Sequence, residues 1–408
     1  SEIFDVFLVV VTEEPGACEA DVPPEIRERC AGVMVVPADG HRDALQRMIW
    51  NSPSERLRLA GRALHPYPLS LGVYTARTER TIGERLRGIE FDVVQAFHVH
   101  MAPLARAIMR DRKGKDIRFV LDMDDLESDA ARRRAETMRG SMGLQWYALN
   151  RLDALKCALW ERWFLRRCHQ VWLSSQQDCD KARDRFGAEH VFWMPNGFDV
   201  PDVFQESGRG TPFTFLFVGT MSYSPNDDAA IHFCNDILPL LLQKAPADFR
   251  VMVVGRDPTE ALLSVAARHP EVVVTGGVPE VASYYREAHA VIAPMRLGSG
   301  TKIKILEAFS LGVPVTATPS GAAGLEATDG VHMLIAETPE AFAGACVRLM
   351  QDGELRRQIA RNAYEFVSSN YGIDAIRSVI RKRYGVAPST TAARPVPLVA
   401  TVPLATGR

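Results

Sequence analysis

No stretch of this 408-residue sequence stays apolar for the roughly 18–20 residues that a membrane span requires. Its first eleven residues lack the basic start and cleavage site of a secretory leader. The seven cysteines (Cys18, Cys30, Cys157, Cys168, Cys179, Cys234 and Cys346) are scattered and odd in number. None forms the close pairs that hold zinc or run redox chemistry, so reduced thiols in a cytosolic protein are expected. Charge of one sign is also missing: 48 Lys and Arg stand against 50 Asp and Glu, a formal net charge of -2. That balance excludes a global attraction to nucleic acid or to an anionic membrane and leaves only local patches. No Gly-x-Gly-x-x-Gly run follows a strand and precedes a helix, which argues against a dinucleotide oxidoreductase. No short-period repeat is present.

What the sequence does have is an alternation. Short β-branched runs take turns with longer segments of helical period, the pattern of a parallel sheet wrapped by helices. In the first half the expected strands are Val6–Val11, Val33–Val36, Asp92–Ala96, Ile117–Asp122, Val171–Ser174 and Val191–Met194. The cluster Pro195-Asn196-Gly197-Phe198-Asp199 then suits an interdomain linker. A second series follows: Phe213–Val218, Val251–Val254, Val272–Thr275, Val291–Ala293 and Val313–Thr316. Helices are expected over Asp228–Lys244, Thr301–Leu311 and Pro339–Met350, the last with Thr338 as N-cap and proline at its first position. Two α/β series of similar size predict two doubly wound, Rossmann-like domains facing one another across a cleft. Their expected bounds are 1–199 and 200–385, with the final helix returning to the first domain. Residues 386–408, rich in Pro, Thr and Ala without apolar period, are expected to form a disordered tail.

Ligands of open α/β sheets sit beyond the carboxyl ends of the strands, so the loops after strands carry the functional reading. The strand Phe215–Val218 ends in the turn Gly219-Thr220-Met221 to Asn226, with a helix expected from near Asp228. A glycine there lets backbone amides approach a phosphate, although such a turn is often only a turn. The stronger segment is Pro294 through Ala308. A strand ends at Ala293, a loop with Arg296, Gly298, Ser299 and Gly300 follows, and a helix opens among Thr301, Lys302 and Lys304. Free amides, a positive helix end and two lysines at one place suit a diphosphate. Glu307, on an otherwise apolar helix, is placed to accept hydrogen bonds from vicinal ribose hydroxyls.

These segments resemble one known family. Phe217-Val218-Gly219-Thr220-Met221 with Ser224-Pro225-Asn226, Val253 to Pro258, Val274 to Pro279, and Gly298 to Glu307 continuing to Gly312-Val313-Pro314-Val315 look like the GT-B-fold glycosyltransferases of family 4, a retaining group. The resemblance covers roughly residues 212–384. It implies that Gly219 and Thr220 approach the donor phosphates, that the base lies beside Gly277 and Val278, and that Glu307 takes the ribose. Ser299 stands where most of the family has a further glutamate, which marks a Gly-Ser-Gly-Thr subgroup. The usual arginine and lysine of the first phosphate loop are also absent. Phosphate charge is therefore expected to fall to Lys302 and Lys304, with Arg256 and Arg296 as further candidates.

The first half resembles the same family less closely. His98, after Asp92–Phe97, stands where relatives carry an acceptor-side histidine; a lone histidine after a strand is otherwise often structural. Asp122, Asp124 and Asp125 form a tight acidic cluster, read either as a group that positions an acceptor or divalent ion, or as a strand-end turn with a helix N-cap. Relatives also carry a first strand and a glycine-rich loop ahead of the one matching Val6–Val11, and this sequence shows neither. The segment Leu152–Arg167, with Trp160, Trp163 and Phe164 among arginines, is read as core packing or as peripheral membrane contact. The resemblance implies an enzyme that moves a hexose from a UDP- or GDP-sugar to a saccharide or lipid-linked acceptor in cell-surface polysaccharide biosynthesis. It needs no metal and no cofactor, takes no nucleic acid, and works in the cytoplasm, including the inner face of the plasma membrane. His98, Asp122 and Lys302 are the expected catalytic residues. A non-catalytic nucleotide-sugar-binding protein and a sugar-nucleotide epimerase on the same fold are the alternatives.

Overall fold

A computed structural model of the chain describes residues 4–12, 16–37, 52–65, 68, 76–110, 116–138, 143–208, 210–297, 302–385 and 396–403. The chain divides into two compact units, Ser1–Met194 with Arg381–Arg408, and Pro195–Ile380.

The first unit is built on a seven-stranded parallel sheet in the order β2-β1-β13-β3-β4-β5-β6. Its strands are β1 Phe4–Thr12, β2 Gly32–Pro37, β3 Val93–Phe97, β4 Arg118–Met123, β5 Gln170–Leu173, β6 Val191–Trp193 and β13 Val396–Pro403. The central strands read as near-continuous apolar runs because helices cover both faces of such a sheet. Val94, Ala96, Phe119, Leu121, Val171 and Leu173 are fully buried against Leu104 and Ile108 of the helix Ala102–Arg110 and against Cys157, Phe164 and Leu165 of the helix Gly143–Leu165. Burial pushes the thiol of Cys168 up strongly and that of Cys179 to about 12, so both behave as apolar fillers.

The expected tail is corrected here. Val396–Pro403 is not disordered but lies between β1 and β3, paired with β1 over Phe4↔Val396 to Val11↔Pro403 and with β3 over Leu398↔Val93 to Thr401↔Ala96. Alternation is the mark of a half-buried strand, whereas a strand in the middle of a parallel sheet needs none. Reading the lack of period in Val396-Pro397-Leu398-Val399-Ala400 as disorder overlooked that difference. The helix Ile373–Tyr384 carries the chain back into this unit, where Tyr384 is buried with its ring 4.6 Å from Phe4 and 5.5 Å from Trp172.

The second unit holds a six-stranded parallel sheet ordered β12-β11-β10-β7-β8-β9. Its strands are β7 Phe213–Val218, β8 Phe249–Val254, β9 Val272–Gly276, β10 Ala290–Ala293, β11 Val315–Ala317 and the two-residue β12 Leu334–Ile335. From β7 the chain winds outward through β8 and β9, then returns to the other side of β7 and winds the opposite way. The switch falls between β7 and β10, the place beyond the carboxyl ends where open α/β sheets form their ligand crevice. Local signals place the covering helices. Thr338 accepts a hydrogen bond from the Ala341 amide and starts the helix Pro339–Gln351, and Thr259 does the same for Glu260–Ala266.

Eight paired positions on β1 and four on β3 depend on β13. Truncation ahead of Val396 is therefore expected to lower the melting transition of the first unit and to leave that of the second in place. Each kcal/mol lost should move the midpoint by about 2–4 °C in a unit of this size. Differential scanning calorimetry checks this, and an unmoved first transition would show that β13 adds nothing.

Candidate functional site

The loops after β7, β8 and β9 are stitched edge to edge by main chain. The Gly219 amide donates to the Val254 carbonyl (3.0 Å), the Met221 amide to the Arg256 carbonyl (2.8 Å), and the Gly255 amide to the Gly276 carbonyl (3.1 Å). Such closeness excludes side chains. A Cβ at Gly255 would lie 1.7 Å from the Gly219 carbonyl oxygen, and one at Gly219 would lie 2.6 Å from Asn226 Nδ2. Asp257 holds a left-handed conformation at φ 56, with its carboxylate accepting from the Ser222 hydroxyl at 3.2 Å. Strained, backbone-rich loops of this type leave little beyond amides and carbonyls to meet a ligand.

Lys304 is the centre of the crevice. It lies in the first turn of the helix Ile303–Ser310. Its ammonium donates to Asn226 Oδ1 at 2.6 Å and sits 4.4 Å from the centroid of the Phe217 ring. Asn226 is fixed in turn, its amide nitrogen donating to the Thr220 carbonyl at 2.9 Å. So the helix after β10 reaches the helix Ser224–His232 after β7 across the switch point. Burial first, and then the neighbouring charge of Lys302, lower the Lys304 pKa to about 7, with Glu307 acting in the opposite direction. Lys302, itself buried, is the N-cap residue of the same helix. A desolvated ammonium beside a second cation at a helix N-terminus is short of negative charge, an arrangement suited to an anion.

One turn on, Glu307 Oε2 accepts from the Tyr285 hydroxyl at 2.9 Å. Tyr285 is fully buried, and burial together with Glu307 drives its pKa well above the usual phenol value. The phenol therefore stays a donor and pins one carboxylate oxygen. Arg296 forms a two-point pair with Asp228, Nε to Oδ2 at 3.1 Å and Nη2 to Oδ1 at 2.5 Å, so its charge is largely committed. The stem of Arg256 packs against Gly277, whose Cβ would meet Arg256 Cγ at 3.0 Å. Val278 follows in the loop after β9. The structure thus gathers Gly219, Thr220, Asn226, Lys302, Lys304 and Glu307 around one crevice, with Arg256, Gly277 and Val278 in the adjoining loops. Ser299, Gly300 and Thr301 lie outside the described residues. Tyr285, Phe217 and Asp228 escaped sequence reasoning; a tyrosine in the six-residue helix Ala282–Glu287 has no local signature.

In the first unit the carboxyl ends of β3 and β4 bring His98, Asp122 and Asp124 together. His98 adopts φ 64, with its amide donating to the Asp122 carbonyl at 2.6 Å. Its imidazole Nε2 lies 3.9 Å from Asp124 Oδ2, and its ring stacks on His100 with centroids 5.5 Å apart. Asp122 Oδ2 accepts from Gln95 Nε2 at 2.7 Å, and Tyr384 hydroxyl donates to the other end of that amide at 3.4 Å. Burial raises the Asp122 pKa to about 7, opposed by the Gln95 hydrogen bond and helped by Asp124. A carboxyl poised there exchanges a proton at neutral pH. Among the described residues no group of three or more His, Cys, Asp or Glu is placed to hold a metal ion.

Comparison with known proteins meets this geometry in the second unit. Residues 212–352 match the family model described as Glycosyl transferases group 1. An uncharacterised 44.6 kDa protein in the cps region of Klebsiella pneumoniae is 23% identical over 216 residues, 51% of this chain and 54% of that protein. The matched stretch thus spans about half the length of that relative. Among solved structures, HepE from Anabaena in complex with UDP and glucose superposes with a TM-score of 0.60 at 15% identity, covering 94% of this chain and 100% of that one. Sucrose-phosphate synthase from Thermosynechococcus elongatus gives 0.60 at 14% identity, covering 94% and 99%. The lipopolysaccharide outer core galactosyltransferase WaaB gives 0.54 at 13%, also covering 94% and 99%. At these identities the likeness is one of fold, and the fold is GT-B.

The state of Lys304 gives a pH test. An ammonium that titrates near 7 when the crevice is free is raised by a bound diphosphate, so binding takes up a proton above pH 7. The outer phosphate ionises near pH 6 and is already charged in that range. Affinity for UDP is therefore expected to fall by up to about tenfold per pH unit between 7 and 9, the limit for one linked proton. Calorimetry in buffers of differing ionisation enthalpy should find proton uptake in the native chain and none in Lys304→Met. A flat pH profile would contradict the assignment.

Proposed function

From a GT-B fold whose C-terminal unit matches the group 1 glycosyl transferases, we propose that this chain transfers a hexose from a nucleotide diphosphate sugar to a saccharide or lipid-linked acceptor. The observation that carries the reading is the Asn226–Lys304–Glu307 constellation at the β7/β10 switch point. Backbone amides of the β7 loop and the N-terminus of the helix Ile303–Ser310 receive the diphosphate. Lys302 and Lys304 neutralise it, and Glu307, pinned by Tyr285, takes the ribose hydroxyls. As the glycosidic bond breaks, negative charge builds on the departing diphosphate, and fixed cations in a dehydrated crevice stabilise that charge more than water does. Lys302 and Lys304 thus act on the leaving group.

On the acceptor side the reading assigns His98 and Asp122. Asp122 is held in place by Gln95, and His98 presents its imidazole at the end of β3. UDP is the favoured carrier because HepE is described in complexes with UDP, with UDP and glucose, and with UDP-glucose. Retention of anomeric configuration and membership of family 4 rest on the motif resemblance. A role in surface polysaccharide assembly is supported by the cps region of the curated relative and by the lipopolysaccharide substrate in the description of WaaB. A lipid-linked acceptor fits work at the inner face of the plasma membrane.

The test uses the purified full chain with UDP-glucose, UDP-galactose, GDP-mannose and UDP alone. Calorimetry should register UDP binding, and Lys304→Met should weaken it at least tenfold. With an extract of lipid and saccharide acceptors, His98→Ala and Asp122→Asn should slow transfer about a hundredfold or more while UDP affinity stays within twofold, the loss typical of a removed acid–base or positioning group. Tight binding with no hydrolysis or transfer would replace the proposal with a nucleotide-sugar-binding protein. An isomerised sugar nucleotide from donor alone would replace it with an epimerase.

A further inference from the structure

A central strand of a parallel sheet is covered on both faces and ordinarily carries apolar side chains on both. The first unit departs from this on one face. Val94, Ala96, Leu121, Met123, Val171 and Leu173 join the apolar core. The alternating positions put Gln95, Asp122 and Gln170 on the opposite face of three adjacent strands, β3, β4 and β5. The end of the helix Ile373–Tyr384 meets this polar strip. Gln170 Nε2 donates to the Arg383 carbonyl at 3.0 Å, and Arg118 Nη1 to the Tyr384 carbonyl at 3.5 Å. Those two bonds satisfy the last carbonyls of the helix and need no further explanation. Gln95 is different, because its amide joins the hydroxyl of the buried Tyr384 to a carboxylate.

An amide side chain has a donor end and an acceptor end, and turning it over exchanges them. As the structure stands, Gln95 Nε2 donates to Asp122 Oδ2 at 2.7 Å and Gln95 Oε1 accepts from the Tyr384 hydroxyl at 3.4 Å. Turned over, Gln95 would set an oxygen against Asp122, which only a protonated acid can satisfy. The phenol proton would then have no acceptor among the described residues. Tyr384 cannot escape this by ionising, since burial first and then Asp122 raise its pKa, with Arg118 acting in the opposite direction. Its ring is also held, 4.6 Å from Phe4 and 5.5 Å from Trp172, with the Arg118 guanidinium over it at 5.6 Å. We propose that Tyr384 is a positioning residue: it aims the donor end of Gln95 at Asp122 and so keeps that acid a carboxylate, the form that accepts from an acceptor hydroxyl. Asp122 needs such a partner, because burial and the neighbouring charge of Asp124 both favour its neutral form. The other charged groups close by among the described residues, His98 beside Asp124 and Arg118 over Tyr384, make no ion pair with it. The inference rests on the acceptor-side role proposed above for Asp122.

NMR titration of the full chain, isotope-labelled at its aspartate carboxyls, tests this, the Asp122 signal being identified by its loss in Asp122→Asn. Its midpoint should rise by about half a unit or more in Tyr384→Phe, and by about one to two units in Gln95→Met, which removes the bond to the carboxylate itself. Tyr384→Phe added to Gln95→Met should bring no further rise, because the hydroxyl acts through the amide. A reaction that needs the carboxylate slows as pH falls through that midpoint. The acid limb of the transfer rate should therefore move to higher pH by the same amounts in the same variants. Both substitutions keep a side chain of similar size, and unchanged thermal melting identifies variants that still fold. An unmoved midpoint in Tyr384→Phe overturns the proposal. So does an equal rise in both backgrounds, which would make Tyr384 a packing residue only. The midpoints are read without substrate, so they decide the inference even where Asp122→Asn transfers at the native rate and the role proposed for that acid falls.

Discussion

A buried ammonium beside a second lysine is the constraint around which the C-terminal unit is arranged. Nothing in an isolated α/β sheet favours Lys304 where it stands: the site is dehydrated, like-charged on one side, and relieved among the described residues by an amide oxygen, a thioether, a ring face and a carboxylate. Desolvation on this scale costs several kcal/mol, set against a net stability of the same order for a typical domain. Stability has been given up at one point, and the surrounding loops keep that point fixed. Asn226 cannot swing away because its other end is held by Thr220, and Gly219 has no side chain because Asn226 fills that space.

The same logic orders the glycines. Gly255 is needed because two main chains meet where its Cβ would collide with the Gly219 carbonyl, and Gly219 because its Cβ would collide with the Asn226 side chain. The loops after β7, β8 and β9 therefore form one stiff rim instead of three independent turns. A rim of amides and carbonyls recognises a ligand through geometry; under the proposed function that leaves discrimination among bases to hydrogen bonds from main chain and discrimination among sugars to the side chains around it.

Much of this was legible before any coordinates, because its causes are local. β-branched runs, helix-capping threonines such as Thr338, and the glycine and lysine segment around Lys304 announce themselves within a few residues. The pairings that define the site do not. Lys304 and Asn226 are 78 residues apart, Arg296 and Asp228 are 68 apart, and Tyr285 and Glu307 are 22 apart. A motif can place each residue after a strand, but the strand order decides which loops become neighbours. The sequence also misled at Val396–Pro403, where composition resembles a tail and only the free edges of β1 and β3 give the segment a place. Arg296 was read as a phosphate ligand candidate from its loop position, while its partner Asp228 lies on another helix.

The position of β13 has a consequence for biogenesis. Ribosomes release the chain from its N-terminus, and roughly 300 residues separate Val93 from Val396. At about 5–20 residues per second, β3 emerges some 15–60 s, and β1 about 20–80 s, before the strand that joins them. The entire C-terminal unit is made in that interval and, being contiguous in sequence, can complete itself first. Two long apolar strand edges meanwhile wait open, which is the condition under which nascent chains aggregate or recruit chaperones. Heterologous expression is thus governed by the few codons for Val396–Pro403 as much as by the hundreds that precede them.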